Sequence, residues 1–187
     1  MRLEQFLPAY DFNEVHAIVV RATPSRIFDA IKRVTPEEMP LVRTLFALRA
    51  LPVRLAGRAG VRVAGGRAIL DQALSEGFVL LAEVPDEELV LGVVGQFWSL
   101  RGGASPVLSS LADFAAFETP GYAKAAMNFR LEPLGAGRVR VTTETRIRAL
   151  DPDARKRFAR YWRLVHPGSA LIRRIWLRAI KGHAERP

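Results

Sequence analysis

Cysteine is absent from the 187 residues. That excludes disulfide scaffolds, thiolate metal sites and cysteine nucleophiles. Histidine is scarce: His16, His166 and His183 are the three, and no two stand at metal-ligand spacing, so neither a metal centre nor another cofactor is expected. No apolar run approaches the ~18 residues of a membrane span. The opening Met1–Pro8 has no signal-peptide apolar region. A phosphate-binding loop is missing as well, because Gly135-Ala136-Gly137 lacks a third glycine and lies between strand-like segments. No serine occupies a nucleophile elbow. Acid is short at one end. Residues 152–187 hold ten Arg or Lys against Asp153 and Glu185, so nearly all of the formal charge of +9 belongs to that segment.

What is present is ordinary globular material, 49% hydrophobic and 25% charged. Without repeats, linkers or low-complexity stretches, residues 1–187 read as one cytoplasmic domain, monomeric or dimeric. Residues 12–21 are rich in β-branched side chains and predict a first strand. Thr23-Pro24 caps a helix carrying Ile27, Phe28 and Ile31. A second helix is expected over 41–50, a glycine-rich loop over 52–66, and a short helix over 68–76 stopped by Gly77. Strands follow at 78–84 and 88–99 around Pro85-Asp86-Glu87, then a loop over 101–110 and strands at 113–118, 122–133 and 138–150. The last alternates cleanly. Val139, Val141, Thr143, Thr145 and Ile147 share one face, and Arg138, Arg140, Thr142, Glu144, Arg146 and Arg148 the other. Asp151-Pro152-Asp153 starts the longest element, a helix to about His183 with an apolar stripe through Phe158, Trp162, Val165, Ser169, Ile172 and Trp176. Pro167-Gly168 should kink or briefly break it.

The polar candidates are few. Glu14 and His16 share one face of the first strand and are weak candidates for an acid–base pair in a cavity; a satisfied histidine is the competing reading. Glu144, Arg146 and Arg130 are expected to form a structural charge cluster on the outside of the sheet, with Asn128 opposite Glu144. His166 and Ser169 stand close in sequence, but Ser169 reads better as the small residue that restarts the helix. Lys156, Arg160, Arg163, Arg174, Arg178 and Lys181 form a basic helix face that should meet water, because burying so many cations without acids is prohibitive. Specific nucleic-acid binding is not expected there.

Strand, two helices, antiparallel strands and one long helix in that order make an α+β fold. Val15–Ala30, "VHAIVVRATPSRIFDA", resembles the opening of the START-like (SRPBCC) superfamily, with its strand, Ala-Pro-type turn and Ile-Phe helix. Thr142–Glu185 is similar to the final strand and helix of bacterial members. The resemblance implies a helix-grip fold: a curved antiparallel sheet of six or seven strands wrapped around the C-terminal helix, with an apolar cavity between them. Birch-pollen-allergen and polyketide cyclase/dehydrase relatives belong to this group. The expected lining is Phe97, Met127, Phe129, Val141, Thr143, Phe158, Trp162, Val165, Ser169 and Ile172, with Phe158 and Trp162 largely buried. Gly92, Gly95, Ala125 and Ala126 leave room in the strands. The first functional reading is binding of a hydrophobic small molecule, a lipid or polyketide, without catalysis. The alternatives are a cyclase- or dehydratase-type enzyme using His16 and Glu14, and a module meeting nucleic acid, ribosome or anionic membrane through the basic face.

Overall fold

The computed structural model describes residues 2–39, 66–99, 106 and 108–186. The helix expected over 41–50, and most of the loops expected over 52–66 and 101–110, lie outside the described residues. In chain order the elements are α1 (Leu3–Phe6), β1 (Phe12–Val20), α2 (Pro24–Arg33), a 3₁₀ turn (Pro36–Glu38), α3 (Ile69–Ser75), β2 (Val79–Val84), β3 (Glu88–Gly95), α4 (Leu111–Ala116), β4 (Ala123–Gly135), β5 (Arg138–Ala149) and α5 (Pro152–Ala184). The strands form one curved, wholly antiparallel sheet in the order β1-β5-β4-β3-β2. Among the described residues it has five strands, not six or seven.

The missing strand is 113–118, which contributes to the short helix α4. Ser110 accepts from the Asp113 amide, and the Asp113 carboxylate accepts from the Ser109 amide. Those cap bonds commit the segment to a helical turn despite its strand-like aromatic spacing. Elsewhere local chemistry and structure agree. Thr23 caps α2 with Pro24 in the first turn, and Gly77 takes φ +96° just after α3, a conformation glycine adopts without penalty. The β4–β5 turn has positive φ at Gly135, Ala136 and Gly137. It sets a register that pairs Phe129 with Thr143, Met127 with Thr145 and Asn128 with Glu144.

Both faces of the sheet are covered. The inner face carries Val20, Leu89, Leu91, Met127, Phe129, Leu131, Val139 and Val141, packed against α2, α3 and the C-terminal half of α5. The outer face carries Val79, Leu81, Val90, Val94 and Ala126 beneath Leu3, Leu7 and Phe114. Gly92 serves this outer layer: a Cβ there would lie 2.7 Å from Leu81 Cδ1 and 2.9 Å from the Phe114 ring. Its smallness admits Phe114 and does not open the interior.

The charge cluster expected on the outside of the sheet lies on its outer face, with Asn128 opposite Glu144, but it is buried there and does not include Arg130. Asn128 donates to Glu88, Arg146 donates to Glu144 and to the Leu7 carbonyl, and the Arg146 guanidinium lies 4.8 Å from the centre of the Tyr10 ring. Glu88, Asn128, Glu144 and Arg146 are all buried. The chain from α1 to Tyr10 supplies the cover, whereas Arg130 stays exposed.

Asp151 caps α5 by accepting from the amides of Asp153 and Ala154, and it also accepts from Gly121 N. The helix then runs for 33 residues without a break at Pro167. Its buried side chains sit at its two ends, Ala154 and Phe158 at one and Trp176, Leu177, Ile180 and Ala184 at the other. No residue from 159 to 175 is fully buried.

Candidate functional site

The site lies where the unburied middle of α5 crosses the inner face. Register builds its floor as two cross-strand rows. One runs His16, Thr143, Phe129, Leu89; the next runs Glu14, Thr145, Met127, Leu91. Polar side chains thus occupy the β1–β5 half and apolar ones the β4–β3 half of the same surface. The floor is amphipathic.

Glu14, only 6% exposed, is held on both oxygens. His16 Nε2 lies 2.7 Å from one, and Ser169 Oγ donates to the other at 2.8 Å. Strand β1 places Glu14 and His16 two residues apart on one face, and α5 brings Ser169 down from above. The expected same-face pair is therefore assembled as a pair. Ser169 joins it as a hydrogen-bond donor, not as a restart of the helix.

One turn further along, Arg173 reaches Met127, its Nη1 3.1 Å from the sulfur, and its guanidinium sits 5.8 Å from the centre of the Trp176 ring. Burial holds that guanidinium below its ordinary pKa, and the Glu14 carboxylate draws it back upward. Trp176 packs edge-on against Phe129 with ring centroids 4.9 Å apart. Among the described residues two buried side-chain polar atoms have no hydrogen-bond partner, Thr143 Oγ1 and Trp176 Nε1.

An aromatic cluster closes the N-terminal end of the helix. Phe158, 2% exposed, contacts Phe12, Phe97, Trp98, Tyr161 and Trp162, with centroid separations from 4.9 to 6.4 Å. Trp162 is less buried than Phe158, and its ring centroid lies 5.0 Å from that of His166. Of the other expected lining residues, Met127, Phe129, Val141 and Thr143 are buried on the inner face, and Phe97, Val165, Ser169 and Ile172 are half-buried. Arg173 and Trp176 were not among them. Arg173 lies four residues after Ser169 and three before Trp176, so a cation within the apolar stripe was the signal available.

The basic face divides. Arg160, Arg163, Arg174 and Arg178 are exposed, and among the described residues none has a carboxylate within 4 Å. Lys156 is exposed and pairs with Asp153. Lys181 departs from the expectation: half-buried, it donates to the Val19 carbonyl and pairs with Glu185, which pins the helix end to β1. Leu164, at 82% exposed, and Leu171 lie on the same outward side as the four arginines.

No protein-family model and no curated protein matches the sequence. Several solved structures do. A conserved protein from Geobacillus kaustophilus matches at 11% identity and TM-score 0.45, over 92% of this chain and 95% of that one. The di-domain ARO/CYC BexL of the BE-7585A biosynthetic pathway matches at 16% and 0.36, over 94% of this chain and 47% of that one. Ara h 8.0201 matches at 12% and 0.34, over 92% and 97%. The class of fold is helix-grip, an antiparallel sheet closed by one long C-terminal helix. Among the described residues no helix is long and apolar enough to cross a membrane.

Proposed function

We propose that the chain binds a hydrophobic small molecule, a lipid, polyketide or similar compound, between the inner sheet face and the middle of α5. The supporting observation is the contrast along that helix. Its ends are buried in apolar clusters, while its middle, where no side chain is fully buried, crosses an inner face bearing Thr143 Oγ1, a buried polar atom without a partner; a second, Trp176 Nε1, sits on the helix where its C-terminal anchor begins. Buried polar groups are nearly always satisfied in folded proteins, so each exception calls for a role. Ligand sites are typically apolar with a few placed polar groups, which is the composition of this floor. Native mass spectrometry of protein purified from its own host tests the reading. An apolar mass that leaves on denaturation is the expected result. A ligand-free protein whose Tm is unmoved by a panel of apolar compounds would overturn it.

The Glu14–His16 contact favours a second reading, in which a bound molecule meets acid–base chemistry. A carboxylate 2.7 Å from one imidazole nitrogen fixes the ring and its tautomer, leaving the other nitrogen to exchange a proton with a substrate. Turnover lost in His16→Ala with ligand uptake retained would select this reading over passive binding.

A further inference from the structure

We propose that the polar end of the bound molecule is a carboxylate, received by Arg173, Trp176 Nε1 and Thr143 Oγ1. This rests on the binding reading above and specifies its ligand class.

The neighbourhood is closed by contacts already described. Thr143 pairs across the strands with Phe129, Phe129 packs on Trp176, Trp176 faces Arg173, and Arg173 reaches Met127, two residues from Phe129. Within it, hydrogen-bond supply and demand do not match. An indole nitrogen and a guanidinium only donate, while a threonine hydroxyl donates and accepts. Trp176 Nε1 and Thr143 Oγ1 have no partner, although their residues are 7% and 1% exposed. The hydrogen bond given by Arg173 goes to a thioether sulfur, a weak acceptor.

Glu14, the nearby acceptor, does not fill the gap. Its oxygens are taken by His16 and Ser169, and it makes no ion pair with Arg173 within 4 Å. The unmet demand is therefore for acceptors beside a cation. A ligand hydroxyl offers one oxygen. A carboxylate offers two with about four lone-pair sites, matches the guanidinium fork, and leaves capacity for the indole and hydroxyl donors. Phe129, Met127 and the Trp176 ring then face the apolar body of the same molecule.

The probes are two acid–alcohol pairs of different shape: oleate with oleyl alcohol, and 2-naphthoate with 2-naphthalenemethanol. Affinities are measured by titration calorimetry on the full chain, with folding of each variant checked by circular dichroism. In at least one pair the acid is expected to bind about 10- to 100-fold more tightly, the range of a charge-assisted hydrogen bond. Arg173→Met should abolish that preference while leaving the alcohol's affinity within about twofold. Trp176→Phe keeps a ring against Phe129 and removes the N–H together with part of the ring area, so it should weaken the acid by roughly fivefold more than the matching alcohol even if the arginine variant fails to fold. Equal binding of acid and alcohol, or a preference that survives in both variants, overturns the carboxylate assignment alone. Failure of all four probes to bind overturns the binding reading together with it.

Discussion

Ser169 on α5 donates its hydroxyl proton to Glu14 on β1, Oγ to Oε2 at 2.8 Å, across 155 residues of sequence. The bond joins the middle of the helix to the inner face at a buried carboxylate. Ser169→Ala should cost about 1.5 kcal/mol, the lower end for a hydrogen bond to a charged acceptor. Urea unfolding of wild type and variant checks it. No loss of stability would mean that the carboxylate finds another donor.

The aromatic end separates framework from floor. Phe158 is buried among five aromatic rings, so Phe158→Ala should cost roughly 3–5 kcal/mol. Trp162 is half-buried, and Trp162→Ala should cost roughly half as much while changing uptake of apolar ligands. Denaturant midpoints of the two variants, measured side by side, decide the order.

Gly92 is a packing constraint on the opposite face. Gly92→Ala places a methyl group within 2.9 Å of the Phe114 ring and should destabilise by about 1–3 kcal/mol through overpacking. Combining it with Phe114→Leu should recover part of that loss, a coupling that a double-mutant cycle measures directly.

Acid should loosen the ends of α5. The amides of Ala154, Gly121 and Asp153 hold the Asp151 carboxyl below its ordinary value, and the Arg21 amide, with Lys181, does the same for Glu185. A carboxyl depressed in the folded state stabilises it above the unfolded pKa, about 4 for Asp and Glu, and loses that contribution as pH falls through the lower folded value. Stability should therefore be flat near neutrality and decline from about pH 4 downward. Asp151→Asn, which retains a capping oxygen, should reduce the acid sensitivity without abolishing the helix start. Thermal melts from pH 7 to pH 3 provide the comparison.

The outward arginines should behave as a screened charge. Arg160, Arg163, Arg174 and Arg178 should bind labelled RNA or anionic vesicles weakly at low salt. Counterion release gives a log–log salt slope of roughly −4 for four phosphate contacts on a duplex and less on a single strand. Retention of sub-micromolar affinity at physiological salt, lost on reversing the four charges, would instead assign this face a dedicated polyanionic partner.

Much of this arrangement was legible in the sequence because it depends on periodicity. The alternation in Arg138–Ala149 identifies the face of Val139, Val141 and Thr143, and the glycine turn brings Met127 and Phe129 onto it. The same alternation put Glu144 and Arg146 on the outer face but did not show that they are buried there. Charges on the second face read as solvated unless something covers them, and the cover is a four-residue helix too short to show a period. The segment 113–118 failed for a related reason: six helical residues show less than two turns, so Ser110 and Asp113 were better witnesses than the spacing of Phe114 and Phe117. Glu14 and His16 could be paired from strand geometry. Their meeting with Ser169, and Arg173's meeting with Met127, depend on how α5 settles across the sheet, which no local pattern encodes.

Pro167 gives that settling a mechanical character. Lacking an amide proton, it leaves the carbonyl of Arg163 without its intrahelical donor, in the stretch where no side chain is fully buried. The helix is thus a beam clamped at both ends and softened at midspan, directly above the Glu14–Ser169 tie. Bending at that point would separate helix from sheet locally while Phe158 and Trp176 keep their places. Amide hydrogen exchange should accordingly be fastest around residues 163–168 and slowest in the two anchored ends, a pattern opposite to the fraying of an ordinary helix.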